Sequence, residues 1–142
     1  MSDTVKLLKE CDAGTKMAVA SIDEVIEKVQ DEKLKGLLSE SKEHHKELEK
    51  EISVQLRKHS AEEKELNPIA KGMSWMKTNM KMGMDNSDET VADLITDGCN
   101  MGIKSLYKYL NQYKDADEEA KKLCNKLIDI EETLRQDLRN HL

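Results

Sequence analysis

Aromatic residues and proline are scarce in this 142-residue sequence. It has no Phe, one Trp, three Tyr and one Pro, whereas charged residues make up 37% of the chain, against about 25% in an average domain. Sheet proteins draw heavily on aromatic and β-branched residues, so this composition argues against an all-β fold. Because the length is that of one ordinary domain, we expect residues 1–142 to fold as a single all-α unit.

Cysteine is also scarce, and its spacing lacks the usual patterns. The chain has an odd number of cysteines, Cys11, Cys99 and Cys124, and they form no Cys-x-x-Cys motif. This argues against a disulfide framework and against a zinc ribbon. Cys11 and Cys99 fall on apolar stripes of predicted helices. We therefore expect these thiols to be reduced, buried and inert.

Basic stretches and long apolar runs are missing as well. The net charge is −6 and both signs are interspersed, so we expect no nucleic-acid partner. The first twenty residues lack the apolar core of a signal peptide, and no run reaches the roughly 18 apolar residues of a membrane span. We therefore expect a soluble, cytoplasmic protein without a membrane partner. Common phosphate-binding and hydrolase motifs, such as GxxxxGK[ST], GxGxxG, GxSxG and HExxH, are also missing.

Apolar residues at steps of three and four predict four long helices. The stripes place them at about 4–29, 32–58, 88–113 and 117–141. Asp31 and Ser87 are predicted N-caps of the second and third helices, and Asp115 with Glu118 forms a capping-box pattern before the fourth. The helices therefore form two hairpins.

A long connection separates the two hairpins. Asn67 followed by Pro68 indicates a helix start and Gly83 a stop, which predicts a short helix at about 68–82. With its flanks, this connection is about as long as the bundle, so the second and third helices could run in parallel through a crossover.

The connection is rich in methionine. Met73, Met76 and Met80 follow a helical step beside Trp75, as a face packed on the end of the bundle would. Methionine also lines adaptable binding surfaces. The alternative is therefore that residues 73–84 mediate self-association or bind a protein partner.

The two hairpins are similar to each other in sequence. The tetrapeptide CDAG at 11–14 matches CNMG at 99–102, and Glu43 and Leu48 align with Asp129 and Leu134. This similarity suggests a pseudo-twofold bundle. A glycine inside a helix costs about 1 kcal/mol, so we expect close helix packing at Gly14 and at Gly102, or less readily a bound ligand there.

The features that carry a family resemblance are the two hairpins, the sequence GMSWM at 72–76 and the sequence DGCNMG at 97–102. Through these features the chain resembles the ferritin-like class. It resembles more closely a bacterial four-helix-bundle domain of unknown function related to rubrerythrin-type proteins. The resemblance implies a ferritin-like bundle in which catalytic members hold two metal ions. Those members use a carboxylate from each of two helices and a Glu-x-x-His pair from each of the other two.

That ligand set does not carry over to this sequence. The residues three positions before His44, His45, His59 and His141 are Ser41, Lys42, Leu56 and Leu138, respectively. None of these can supply the carboxylate of a Glu-x-x-His pair. We therefore expect no di-metal centre, no cofactor and a non-catalytic structural or interaction role, with enzymatic activity the less favoured alternative.

One histidine and one carboxylate remain as candidates for chemistry. His45 lies on the inward stripe of the second helix, and Glu131 lies beside the stripe of the fourth helix at a similar height. Two interpretations stay open. The pair could belong to a degenerate metal site, which would need three or four ligands, or His45 could hydrogen-bond Glu131 or a water inside the bundle.

Overall fold

The computed structural model describes residues 2–59, 61 and 87–142, and in them the chain is helical. The α-helices are α1 (Asp3–Val25), α2 (Glu32–Lys58), α3 (Asp88–Gln112) and α4 (Glu118–Asp137). Short 3-10 turns, Ile26–Lys28 and Leu138–His141, follow α1 and α4. The all-α prediction is confirmed. The predicted first and fourth helices each end in a 3-10 turn, and the predicted helix at 68–82 lies outside the described residues.

Each α-helix begins at a side chain that accepts a hydrogen bond from the first turn, as N-caps do. Ser2 caps α1, and the predicted caps Asp31 and Ser87 are confirmed for α2 and α3. The capping box predicted at Asp115 is wrong, because Asp117 caps α4 through the backbone N–H of Ala120 at 2.8 Å. The backbone N–H of Asp115 instead donates to the Asp3 carboxylate.

The directions of the helices follow from contacts at the two ends of the bundle. At the first end, the Thr4 hydroxyl at the start of α1 accepts from the backbone N–H of Asp117, the cap of α4. At the second end, the Asp88 carboxylate of α3 accepts from the backbone N–H groups of Gln30 and Asp31, just before α2. Thus α1 and α4 run in one direction, and α2 and α3 run in the other.

The interior contains two apolar clusters stacked along the bundle axis. The first includes Leu48 of α2 and Ile128 of α4, and the second includes Leu38 and Leu134 of the same helices. Burial of such side chains supplies most of the stability of a helical bundle. Between the clusters, at mid-height, lies a layer of polar side chains that α2 and α4 share.

Helices α1 and α4 each pack against all three other helices, whereas α2 and α3 lie diagonally opposite each other. Gly14 lets α1 approach α4 closely, since a Cβ atom placed there would lie 3.4 Å from Cδ2 of Leu127. The close packing expected at Gly14 is therefore present. In the part of the chain that the structure describes, no helix has an apolar stretch that could cross a membrane.

Candidate functional site

The polar layer at mid-height is built around His45, which is completely buried. Its Nδ1 lies 2.7 Å from the carbonyl oxygen of Ser41, one helical turn earlier in α2. Its Nε2 lies 2.7 Å from Oε1 of Glu131 in α4. The predicted hydrogen bond between His45 and Glu131 is therefore present, and both ring nitrogens have partners inside the chain.

The two partners of His45 determine where its protons lie. A carbonyl oxygen only accepts hydrogen bonds, so Nδ1 must carry a proton. Nε2 then donates to the Glu131 carboxylate if the ring is an imidazolium. Burial lowers the pKa of His45, but the hydrogen bond and the charge of Glu131, together with the Ser41 carbonyl, outweigh burial and raise it overall. An ion pair between α2 and α4 follows.

The Glu131 carboxylate also meets α3. Burial, the charge of Glu131 and a hydrogen bond from the Cys99 thiol to Glu131 raise the pKa of Cys99 well above its usual range. Glu131 therefore accepts from a side chain of α2 and from a side chain of α3. Gly102 also belongs to α3, and a Cβ atom placed there would lie 3.9 Å from the carboxyl carbon of Glu131. One carboxylate thus connects three helices at the centre of the bundle.

A groove of about 470 Å³ runs between α1 and α3, and Glu131 lies at its floor. Small residues from both helices face each other across it. They are Gly14, Ala18 and Ser21 from α1, and Gly98, Gly102 and Ser105 from α3. Its volume falls within the range of about 300–1,000 Å³ that small-molecule sites occupy.

The described residues that line this groove are mostly apolar, and their charged members are the acids Glu10 and Glu131. None of these lining residues is a Lys, Arg or His. Towards the first end of the bundle, burial and the nearby Glu10 carboxylate raise the pKa of Tyr109, whose hydroxyl donates a hydrogen bond to that carboxylate. The groove is therefore an apolar channel with an acidic floor.

The other predicted site residues fall into two groups. Met73, Trp75, Met76 and Met80 lie outside the described residues, so the proposed interaction surface stays a prediction. His44 lies on the surface, 4.0 Å from the Glu40 carboxylate. Within residues 2–59, 61 and 87–142, no group of three or more His, Cys, Asp or Glu side chains is arranged to hold a metal ion.

Sequence reasoning missed two features of this region. It noted Gly102 but did not predict that the small residues of α1 and α3 leave a groove. It also compared Cys11 with Cys99, whereas Cys11 contacts Cys124 across the interface of α1 and α4. A signal for the groove was present in the sequence, because small residues recur at steps of three and four on both helices.

Comparison with known proteins gives no relative for this chain. No protein-family model, curated protein or solved structure matches it. The resemblance to ferritin-like proteins therefore stays a prediction.

Proposed function

We propose that this chain is a non-catalytic, ferritin-like four-helix bundle that binds a small apolar molecule, neutral or positively charged, in the groove between α1 and α3. The observation that carries this proposal is the groove itself, with its volume of about 470 Å³ and its floor at Glu131. An apolar channel with few polar groups is the usual form of a small-molecule site.

The charges in the groove select the class of ligand. The charged side chains among its described lining residues are Glu10 and Glu131. Glu131 is paired with His45, so the Glu10 carboxylate is the group that would repel a ligand carboxylate at short range. An ammonium group is attracted to the same surface, and the ring of Tyr109 adds a cation–π partner at one end. We therefore expect amines and alcohols to bind better than fatty acids of the same length.

A non-catalytic role is supported by the state of the reactive groups. The imidazole of His45 uses both nitrogens for internal hydrogen bonds. The raised pKa of Cys99 keeps its thiol protonated, and thiolates are the nucleophilic form of cysteine. The polar layer is thus suited to joining helices rather than to attacking a substrate.

The test is binding of the neutral fluorescent dye Nile red to the full chain, followed by displacement. We expect saturable binding of one dye per chain, displacement by decylamine and decanol, and at least about tenfold weaker displacement by decanoate. Failure of the dye to bind, or equal displacement by all three competitors, would contradict the proposal.

A matched pair of variants locates the site. A Cβ atom at Gly98 meets no other atom within 4 Å, and the same holds for Gly36 on the exposed face of α2. Gly98→Leu places a side chain in the groove, so we expect it to weaken dye binding by about tenfold or more. Gly36→Leu makes the same exchange away from the groove and serves as the control. Equal affinities of the two variants would place the dye elsewhere.

A further inference from the structure

Two buried thiols meet where α1 packs on α4. Cys11 and Cys124 are both completely buried, and they belong to the first apolar cluster. The two sulfurs share a hydrogen bond. Each thiol therefore has the other as its neighbour, although the two residues come from opposite ends of the sequence.

The register of the two helices holds these thiols opposite each other. Nearer the N-terminal ends of the two helices than the thiols, a 2.8 Å hydrogen bond joins Thr4 and Asp117, which are 113 residues apart. On the C-terminal side of the thiols, Gly14 and Leu127 are in contact. Cys11 and Cys124 have the same separation in sequence as these two pairs. Because α1 and α4 run in the same direction, equal separations place all three pairs at matching heights.

The close approach of the helices also suits a covalent bond. A disulfide needs Cα atoms about 4.4–6.8 Å apart, and such distances arise between helices only where small residues let the backbones approach. Gly14, one turn after Cys11, is the small residue at this contact. Gly14 thus lets the Leu127 side chain of α4 pack against α1 one turn from the thiol pair.

The two thiols titrate as a coupled pair, in which the hydrogen bond between them favours the first ionisation and opposes the second. The hydrogen bond from Cys11 lowers the pKa of Cys124 despite burial. The hydrogen bond to Cys124 and burial raise the pKa of Cys11. One thiol of the pair is thus favoured to ionise while the other donates to it, and the thiolate is the reactive form. Cys99 has its hydrogen bond with Glu131 instead.

Neighbours of the thiol pair also line the groove between α1 and α3. The thiol of Cys124 lies 4.0 Å from the carbonyl oxygen of Leu106, and Leu106 lines the groove between α1 and α3. Gly14 lines the same groove. A molecule as small as hydrogen peroxide that enters the groove therefore reaches residues that are direct neighbours of the thiol pair.

We propose that Cys11 and Cys124 form a disulfide bond when the protein meets a peroxide. The thiolate of one of the two cysteines attacks one peroxide oxygen, the O–O bond breaks, and the released hydroxide takes up a proton to leave as water. That cysteine is then a sulfenic acid. The sulfur of the other cysteine attacks it, the S–O bond breaks, its own proton leaves with the oxygen, and a second water is released. Two thiols are oxidised by two electrons, and one peroxide is reduced to two waters.

The test treats the reduced, folded full chain with hydrogen peroxide, removes the peroxide, unfolds the chain so that buried thiols can react, blocks the remaining thiols with iodoacetamide and measures the intact mass and the peptides. We expect a monomer that has lost two hydrogen atoms, carries one blocked cysteine, and yields a peptide pair joining Cys11 to Cys124. Cys99 should be the blocked residue. Three blocked thiols, a bond that includes Cys99, or a disulfide-linked dimer would overturn the proposal.

Variants provide a second line of evidence. Cys99→Ala should leave the loss of two hydrogen atoms unchanged, whereas Cys11→Ala and Cys124→Ala should abolish it. In urea the native register is lost, so oxidation of the wild-type chain should give mixed pairings of its three thiols. If the unfolded chain formed the Cys11–Cys124 bond as selectively as the folded chain, the fold would not be the cause and the proposal would fail.

Discussion

Helix α1 packs against α4 and against α3 with opposite results. Against α4 it runs in parallel, and the side chain of Leu127 occupies the space beside Gly14. Its Cδ2 lies 3.4 Å from the position that a Cβ atom of residue 14 would take. Against α3 it runs antiparallel, and Gly98 on the facing helix has no atom within 4 Å of its Cβ position. The first interface is closed and contains the thiol pair, and the second is open and contains the groove.

This difference shows that a glycine in a helix does not by itself determine how closely two helices pack. The outcome depends on the size of the residue that faces it. Leu127 is long enough to fill the space at Gly14. Along the groove, both α1 and α3 contribute small lining residues, and the Cβ position of Gly98 has no atom within 4 Å, so that space is left between the backbones. Glu131 belongs to both regions, because its helix forms the closed interface while its carboxylate lies at the floor of the open one.

Removing that carboxylate should have the largest effect on stability. We expect Glu131→Ala to reduce the free energy of unfolding by about 3–5 kcal/mol, because the completely buried His45 ring would lose the partner of its Nε2 and with it the ion pair. Urea denaturation followed by circular dichroism measures the loss.

The matched control is the double variant His45→Leu with Glu131→Leu, which removes both charges and should recover most of the stability. A loss of equal size in the single and the double variant would mean that packing, and not the ion pair, holds α2 and α4 together at this height.

The same pair should make stability depend on pH. The pKa of His45 is raised in the folded protein, so its contribution is complete below the unfolded value of about 6.5 and is lost as the pH rises through the higher folded value. Above that value the ring is neutral, and its Nε2 lone pair faces the Glu131 carboxylate. We expect the melting temperature of the wild type to fall, relative to His45→Gln, as the pH rises from about 6.5 through the raised pKa of His45. Parallel curves for the two proteins would exclude this linkage.

The closed interface can be tested by overfilling it. We expect Gly14→Leu to destabilise the protein by about 1–3 kcal/mol, because Leu127 occupies the space next to Gly14 and would have to move. Gly98→Leu introduces the same side chain at the open interface and should cost less, since nothing lies within 4 Å of its Cβ position. Chemical denaturation of the two variants compares them directly, and equal losses would show that the interfaces do not differ in this respect.

Much of the fold could be predicted from the sequence, because the helices depend on local signals. The apolar steps located four helices, and Asp31 and Ser87 were identified as caps from their position before those steps. His45 was placed inside the bundle by the same periodicity. Its hydrogen bond with Glu131 could be anticipated because both residues were expected at a similar height.

The contacts between helices were harder to predict, because they depend on register across the bundle. Sequence similarity related Cys11 to Cys99, but resemblance of two segments does not bring them into contact. The pairing of Cys11 with Cys124 requires α1 and α4 to be parallel and in register, and the Thr4–Asp117 contact that fixes this register joins residues 113 apart. The cap at Asp117 was missed for the same reason, since Asp115 is engaged by Asp3 from another helix.

The smallest effect we expect is the most direct measure of the open interface. Gly98→Ala should stabilise the protein by up to about 1 kcal/mol, because alanine is the better helix former and its methyl group meets no atom within 4 Å. Gly36→Ala should give a similar gain on the exposed side of α2, where the Cβ position is equally open. Thermal and urea denaturation would measure both. A loss of stability confined to Gly98→Ala would mean that α1 and α3 approach each other in solution, and that the groove closes around that glycine.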